Sequence, residues 1–290
     1  MRTAGILLAL ILVTAASVAQ VIPGPPPQGF PADIVFRSLE RAYPGRVTIR
    51  PVGGASVLTV AGKDFDWAEG RLLPPDQKDH WADFAPQPFY DYPSQTPNVP
   101  AWSDQRIADA EVRLASRRTT APRRESGFFD TLWGIYNRKT ADAAQKRIRF
   151  FGIPVTLHRN LEAPLARVQA KLQAARTGDR TLDLFLRSLA ELGGYNWRDI
   201  AETQSRSNHA YGVAIDLLPR YYAGKNPYWL WAPQERPGWF RTAWLARWEP
   251  HPAVVRAFES EGFVWGGKWL LFDTIHFEYR PEILILNGLR

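Results

Sequence analysis

The alternation of apolar and polar residues predicts a chain in which most helices precede the last strands. Helical spacing predicts helices over residues 31–43, 103–118 with Ser103 as N-cap, 125–136, 141–150, 164–175, 180–192 and 251–262. Short apolar runs predict strands at residues 46–50, 56–61, 153–157, 213–216 and 276–279, the first two joined by a Gly-Gly turn. This segregation is typical of an α+β fold, and we expect a small antiparallel sheet flanked by helices.

The first residues have the pattern of a secretory signal peptide. Arg2 precedes an apolar run from Ala4 to Val13, and small residues up to Ala19 form a cleavage site. The apolar run is too short to span a bilayer, which takes about 20 residues. We therefore predict a signal peptide over residues 1–19, no membrane span, and a protein secreted across the inner membrane that is periplasmic or associated with the cell wall.

Composition narrows the chemistry that the chain can perform. The 290 residues are 45% hydrophobic and 22% charged, as in a folded globular protein, and none is cysteine. Disulfides, thiol nucleophiles and thiolate metal sites are thereby excluded, so a metal must be held by His, Asp or Glu. The net charge of +7 favours anionic polymers as neighbours, but no run of Lys and Arg predicts a nucleic-acid groove. The oligomeric state stays open.

The stretch Ser207-Asn208-His209-Ala210-Tyr211-Gly212-Val213-Ala214-Ile215-Asp216 offers an imidazole and a carboxylate on either side of a glycine bend. Residues 213–216 have the apolar character of a buried strand, which carries Asp216 inward, where it needs a positive partner or a metal. Gly212 permits the bend that turns His209 back toward Asp216. A zinc site takes three such ligands and leaves one position for water.

The missing ligand is expected in the stretch Phe272-Asp273-Thr274-Ile275-His276-Phe277-Glu278. His276 completes a set of two His and one Asp. Asp273 lies three positions earlier and can converge on the site only if residues 273–275 form a turn, in which case it is a candidate general base for a water acidified by zinc. Glu278 shares the strand face of His276 and is expected to orient it.

Each of these signals also has a structural explanation. A His beside a carboxylate is more often a structural pair than a ligand pair. Arg198, which precedes the first motif, can anchor its loop nearly as readily as it can contact a substrate. We expect His158 to be a core or edge residue, His251 to cap a helix, and His80 to be exposed. The twelve Trp residues are expected in the core, with a groove for sugar or peptide as the alternative.

At these residues the chain resembles the M15 family of zinc peptidases, which act on peptidoglycan as D-alanyl-D-alanine carboxypeptidases and dipeptidases or L-alanyl-D-glutamate endopeptidases. Ser207, His209, Gly212, Ala214 and Asp216 match the pattern Ser-x-His-x-x-Gly-x-Ala-x-Asp, and Asp273, His276 and Phe277 match a later acid-x-x-His-aromatic segment.

The resemblance implies Zn²⁺ bound by His209, Asp216 and His276, with Asp273 as the base and Ser207 as a neighbouring polar group. The stretch around Arg198 is similar to the site of a substrate-orienting arginine, and Trp265 is implied near the substrate or behind the ligands. Asp rather than Glu before the final His is closer to the endopeptidase branch.

Together these observations predict three segments: the signal peptide, an N-terminal extension of unknown role over residues 20–124, and a zinc peptidase domain over residues 125–290. The expected activity is hydrolysis of an amide bond in peptidoglycan stem peptides. The alternatives are a cell-wall-binding protein that keeps the fold without turnover, and an envelope scaffold whose His and Asp clusters are structural.

Overall fold

The computed structural model describes residues 30–116, 122–200, 205–233 and 236–290, so the predicted signal peptide lies outside the described residues. The helices are α1 (Ala32–Ala42), α2 (Asp104–Ser116), α3 (Gly127–Trp133), α4 (Arg138–Ala144), α5 (Glu162–Arg176), α6 (Arg180–Ser188), α7 (Trp239–Leu245), α8 (Pro252–Ser260) and α9 (Pro281–Leu286). The strands are β1 (Val47–Val52), β2 (Ala55–Val60), β3 (Lys63–Ala68), β4 (Arg71–Leu73), β5 (Gln145–Phe150), β6 (Ile153–His158), β7 (Leu189–Gly193), β8 (Ala214–Pro219), β9 (Phe263–Trp265) and β10 (His276–Tyr279).

Within the described residues, the strands form three small antiparallel sheets among the helices, which confirms the α+β class. One sheet has the order β1-β2-β3-β4, and β5 and β6 form a separate hairpin. The third sheet has the order β7-β8-β10-β9, so strands from distant parts of the chain lie side by side at its centre. Because β8 and β10 are central and largely buried, side chains on their shared face are held in fixed positions.

Two of the predicted helices are wrong in part, since both run into strands. Residues 145–150 pair with β6 instead of continuing α4, and the hairpin turns at Phe151 and Gly152, both with positive φ. Ile148 and Phe150 are the more buried residues of this run, which is the two-residue period of a strand. Residues 189–193 likewise pair with β8, so this run forms β7 instead of continuing α6.

The main hydrophobic core joins both halves of the chain. Val35 and Leu39 of α1 and Leu58 of β2 belong to the same buried cluster as Phe258 of α8 and Phe277 of β10. A second cluster packs α2 and α7 against Phe272 and against Tyr228 and Trp229, which lie in the Trp-rich segment of residues 219–248. The segment before residue 125 therefore shares its core with the predicted peptidase domain, and the boundary at residue 124 stays a prediction.

The helices in the described part of the chain are all too short or too polar to cross a membrane.

Candidate metal centre

Strand pairing sets Asp216 directly opposite His276. In the antiparallel register of β8 and β10, Ala214, Ile215 and Asp216 face Glu278, Phe277 and His276 in turn. Directly opposed residues have their side chains on the same face of the sheet, within about 5.5 Å at Cβ. The imidazole Nδ1 of His276 accordingly lies 2.9 Å from Oδ1 of Asp216.

His209 reaches the same point from the loop before β8. The N–H groups of Ala210, Gly212 and Val213 donate to the carbonyls of Ser207, His209 and Asn208 at 2.9 to 3.0 Å, which winds the loop tightly. Nε2 of His209 thereby comes 3.3 Å from Oδ2 of Asp216. The predicted bend is present.

Gly212 is required at this bend for two reasons. Its φ is +69°, in the left-handed region that side chains disfavour. A Cβ at this position would lie 2.7 Å from the backbone nitrogen of His158 and 1.9 Å from Oε1 of Gln145. The His158 N–H donates to the Gly212 carbonyl at 2.8 Å, so the loop is fastened to β6 at the point where a side chain would push it away.

Hydrogen bonds orient both imidazoles. Nδ1 of His209 lies 2.7 Å from the carbonyl oxygen of Gly194, which can only accept, so Nδ1 carries the proton and Nε2 presents its lone pair to the site. Nε2 of His276 lies 3.4 Å from Oε2 of Glu278, on the side opposite Asp216. This is the orienting position predicted for Glu278, whose carboxylate also accepts from Nδ2 of Asn208 at 2.5 Å.

The three groups lie close enough together to hold one metal ion. Their donor atoms all lie within 4.8 Å of one another, and no other group of three or more His, Asp or Glu in the described residues does so. Nε2 of His209 and Nδ1 of His276 are 3.3 Å apart. Ligands at the zinc distances of about 2.0–2.1 Å stand about 3.3 Å from one another around a tetrahedron, which matches this spacing.

The electrostatics of the group also call for a cation. The lone pairs of two ring nitrogens lie close to each other and to a carboxylate oxygen. These groups repel one another unless a positive charge lies between them. Burial by itself lowers the pKa of His276, but hydrogen bonds to Asp216 and Glu278 raise that pKa to about 10. Against the effect of burial, the two imidazoles hold the pKa of Asp216 well below its usual range. Without a metal, the positive charge is a proton on His276.

Asp273 lies beside this trio as a buried, incompletely paired acid. Residues 273–275 form the predicted turn, with the His276 N–H donating to the Asp273 carbonyl at 3.3 Å. The side chain is 1% exposed, and its Oδ1 has no hydrogen-bond partner within the described part of the chain. Burial, helped by the charge of Asp216 and opposed by those of His276 and Arg198, raises its pKa to about 8. Such a carboxyl exchanges a proton near neutral pH.

Arg198 lies half-buried in the loop between β7 and β8. Its carbonyl accepts from the N–H of Ser207 at 3.2 Å, which ties it to the loop of residues 206–213 that carries His209, called the motif loop below. Its positive charge also acts on Asp273. Arg198 thus lies close enough to the candidate base for its charge to act on it. The loop-anchoring contact that was the alternative is also present.

Ser207 and Trp265 are both buried, and each forms a hydrogen bond with the backbone next to the site. Oγ of Ser207 accepts from the N–H of His209 at 3.3 Å. The Trp265 side chain, 3% exposed, donates from its indole N–H to the carbonyl of Thr274 at 2.8 Å and stacks on Phe277. Both side chains therefore hold the backbone that carries His209 and Asp273.

Two further features escaped the sequence analysis. Tyr222, in the Trp-rich segment, packs edge-on against Trp248, and burial together with the charges of Asp216 and Asp273 raises its pKa to about 12. No residue pattern around Tyr222 signals this placement. Asp130 of α3 accepts from the Tyr211 hydroxyl at 2.6 Å and pairs with Arg206, fastening both ends of the motif loop. A single acid within the apolar run of residues 128–133 was the available signal.

The remaining histidines lie away from the trio. His158 is buried, with Nε2 3.0 Å from the carbonyl of Trp133, and burial lowers its pKa to about 4. His251 is the N-cap of α8, where its Nδ1 accepts from the N–H of Ala253 at 3.2 Å, which confirms the predicted cap. His80 is exposed, as predicted.

Comparison with known proteins identifies the segment that carries this centre. Residues 201–279 match the M15 peptidase family model described as D-alanyl-D-alanine carboxypeptidase. The match confirms the M15 resemblance, and it contains His209, Asp216, Asp273 and His276, while Arg198 precedes it by three positions. No solved structure gave a significant match to the chain.

Proposed function

Since residues 201–279 match the M15 peptidase family model, we propose that this protein is a zinc-dependent peptidase that hydrolyses an amide bond in peptidoglycan stem peptides. The observation that carries the proposal is the convergence of two imidazole nitrogens, 3.3 Å apart, with a carboxylate, next to a buried acid that has an unpaired oxygen. A structural His-Asp pair has no use for the second acid.

The residues present fit a zinc ion. Nε2 of His209, Nδ1 of His276 and a carboxylate oxygen of Asp216 would hold it, since the three donors lie within 4.8 Å of one another and both rings are oriented by hydrogen bonds at their far nitrogens. A zinc ion held there would act as a Lewis acid on the scissile carbonyl and lower the pKa of water.

Asp273 moves the proton. Its carboxylate accepts a proton from the attacking water as the new C–O bond forms, and the resulting carboxylic acid donates that proton to the amine nitrogen as the C–N bond breaks. A group that takes up and releases a proton in each cycle works best with a pKa near the working pH, and the pKa of Asp273 in the metal-free protein is already raised toward neutral pH by burial. The burial of Asp273 keeps bulk water from exchanging that proton during the reaction.

Arg198 supplies a positive charge on the same side of the site. We assign it to the substrate, either to the scissile carbonyl as negative charge develops on its oxygen or to a substrate carboxylate. The stem peptide is rich in carboxylates, and the protein's net charge of +7 favours approach to anionic wall material outside the cell.

The test combines metal analysis with digestion of defined muropeptides followed by mass spectrometry. We expect close to one zinc per chain, and product masses that identify the cleaved bond as a carboxypeptidase or an endopeptidase cut. Asp273→Asn should keep its zinc and lose cleavage by about 10²–10⁴-fold, the usual contribution of a general acid-base. Asp83→Asn, at an exposed position outside the site, is the matched control and should cleave like the parent protein.

Three results would contradict the proposal. Protein without bound zinc excludes the metal centre. Cleavage by Asp273→Asn at the parental rate excludes Asp273 as the base. If the protein binds zinc and sediments together with cell-wall sacculi but releases no peptide, it is a wall-binding protein without turnover.

A further inference from the structure

A chain of buried charged side chains leads from the candidate metal ligand His276 into the N-terminal part of the protein. Glu278, Arg280 and Glu282 follow His276 at every second position, and their side chains are at most 4% exposed. Oε2 of Glu278 faces Nε2 of His276 at 3.4 Å, and Oε1 of Glu278 faces Nη1 of Arg280 at 3.8 Å. Arg280 in turn forms an ion pair with Glu282, in the first turn of α9.

The last link of this chain comes from the segment before the family match. The hydroxyl of Tyr43, directly after α1, donates to Oε2 of Glu282 at 2.7 Å across 239 residues of sequence. Tyr43 is itself buried, at 4% exposure. We call the series His276–Glu278–Arg280–Glu282–Tyr43 the buried relay.

A second N-terminal segment, residues 88–92, packs along the relay. The Pro88 carbonyl accepts from Nη2 of Arg280 at 3.2 Å. The Tyr90 hydroxyl accepts from the indole N–H of Trp269 at 3.2 Å, and the Trp269 ring lies 5.7 Å from the ring of His276. Tyr92 accepts from the backbone N–H of Trp265 at 2.8 Å, in β9 beside β10.

Stability alone does not explain this arrangement of buried charges. Burying charges costs desolvation energy that ion pairing seldom recovers in full, and apolar side chains of similar size often serve stability as well or better. Hydrogen-bonded partners behind a metal-binding His, in contrast, fix its ring orientation and tautomer and raise its basicity. The relay meets this second requirement, because each carboxylate is held on both sides.

We propose that the N-terminal region, through Tyr43 and residues 88–92, is a built-in part of the metal centre that positions His276 by way of the buried relay. Tyr43, Arg280 and Glu282 are then positioning residues, and the segment predicted as an extension of unknown role has a function in metal binding. The inference rests on the proposed metal at His276.

The test measures zinc affinity of the full-length protein by chelator competition, together with the visible absorption of the cobalt-substituted protein. Tyr43→Phe removes only the hydroxyl that holds Glu282. We expect its zinc affinity to fall by about 10-fold, at the lower end of the 10–100-fold usual for groups behind a metal ligand, with a shifted cobalt spectrum. Glu282→Gln should lower the affinity further, because Arg280 is then free to draw Glu278 away from His276.

Val35→Ala is the control for a merely structural role. It loosens the packing of α1, where Val35 is fully buried, but leaves the Tyr43 hydroxyl in place. We expect lower thermal stability with unchanged zinc affinity and cobalt spectrum. Tyr136→Phe, at a half-exposed position outside the relay, should leave all three properties unchanged.

The outcomes separate this inference from the proposed function. If parental protein binds zinc but Tyr43→Phe and Glu282→Gln bind it equally well with the parental cobalt spectrum, the positioning role is wrong and the proposed function stands. If Val35→Ala weakens zinc binding as much as Tyr43→Phe does, the effect is one of stability and the inference is also wrong. Parental protein that binds neither zinc nor cobalt refutes both.

Discussion

Replacing Gly212 with Ala tests how the motif loop places His209. At a φ of +69°, a side chain costs about 1–2 kcal/mol, and the new Cβ would stand 2.7 Å from the His158 nitrogen. Relieving that contact breaks the hydrogen bond from His158 to the Gly212 carbonyl, whose net contribution is about 0.5–1.5 kcal/mol. We therefore expect Gly212→Ala to lower the free energy of unfolding by about 1.5–3.5 kcal/mol, as the sum of these two terms.

Gly134→Ala provides a matched control. Gly134 has nearly the same φ, +68°, but a Cβ there meets no atom within 4 Å, so only the conformational cost of about 1–2 kcal/mol applies. Urea unfolding of both variants, with a chelator present to remove the contribution of bound metal, measures the difference. Chelator competition on the folded proteins should then show weaker zinc binding for Gly212→Ala alone, because His209 is displaced with the loop.

One result would refute this reasoning. If Gly212→Ala is no less stable than Gly134→Ala and binds zinc like the parent protein, the close approach to His158 does not require glycine, and the loop has room to relax without moving His209.

Three further predictions follow from the site. Zinc binding at pH 7.5 should release about one proton or more, because His276, with a pKa raised to about 10, is protonated in the metal-free protein. Calorimetry in two buffers of different ionisation enthalpy measures the number of protons released. Zero release contradicts the assignment of His276 as a zinc ligand. The charges of Asp216 and Asp273 act on the Tyr222 hydroxyl, which places it close to the candidate centre. If that hydroxyl donates one hydrogen bond to the charge developing on the substrate, Tyr222→Phe should lower kcat by about 10–100-fold with unchanged zinc content, whereas Tyr221→Phe at the exposed neighbour should not. Equal kcat values would remove Tyr222 from the site. Trp265→Phe should lower the free energy of unfolding by about 1–3 kcal/mol, because the buried Thr274 carbonyl loses its hydrogen-bond donor. Trp81→Phe, at an exposed position, should change the free energy of unfolding little. Equal effects of the two substitutions would show that the hydrogen bond to Thr274 is dispensable.

The pH dependence of the metal-free protein has a defined direction. A His whose pKa is raised on folding stabilises the native state fully below its unfolded pKa of about 6.5, and this stabilisation is lost as the pH rises through the folded value. For His276 the loss extends to about pH 10. Alkaline conditions should therefore destabilise the metal-free protein, and His276→Asn should have a smaller loss over the same pH range in urea unfolding experiments.

The sequence by itself determined the local chemistry of the site. Two short apolar segments of a chain without cysteine hold the candidate ligands His209, Asp216 and His276 and the candidate base Asp273. A glycine bend and a three-residue turn are the local structures that these side chains need in order to converge. Both are present in the structure. These features are readable because a buried strand has a strong apolar pattern and a glycine at a bend has few substitutes.

Tertiary structure decided the rest, because it depends on which segments pair across long distances. Residues 145–150 and 189–193 resemble helix continuations and became strands only because β6 and β8 offered hydrogen-bonding edges. The nitrogen that each imidazole presents is set by Gly194 and Glu278, and no spacing in the chain signals that choice. Tyr43 reaches Glu282 across 239 residues, a contact that only the folded core brings about.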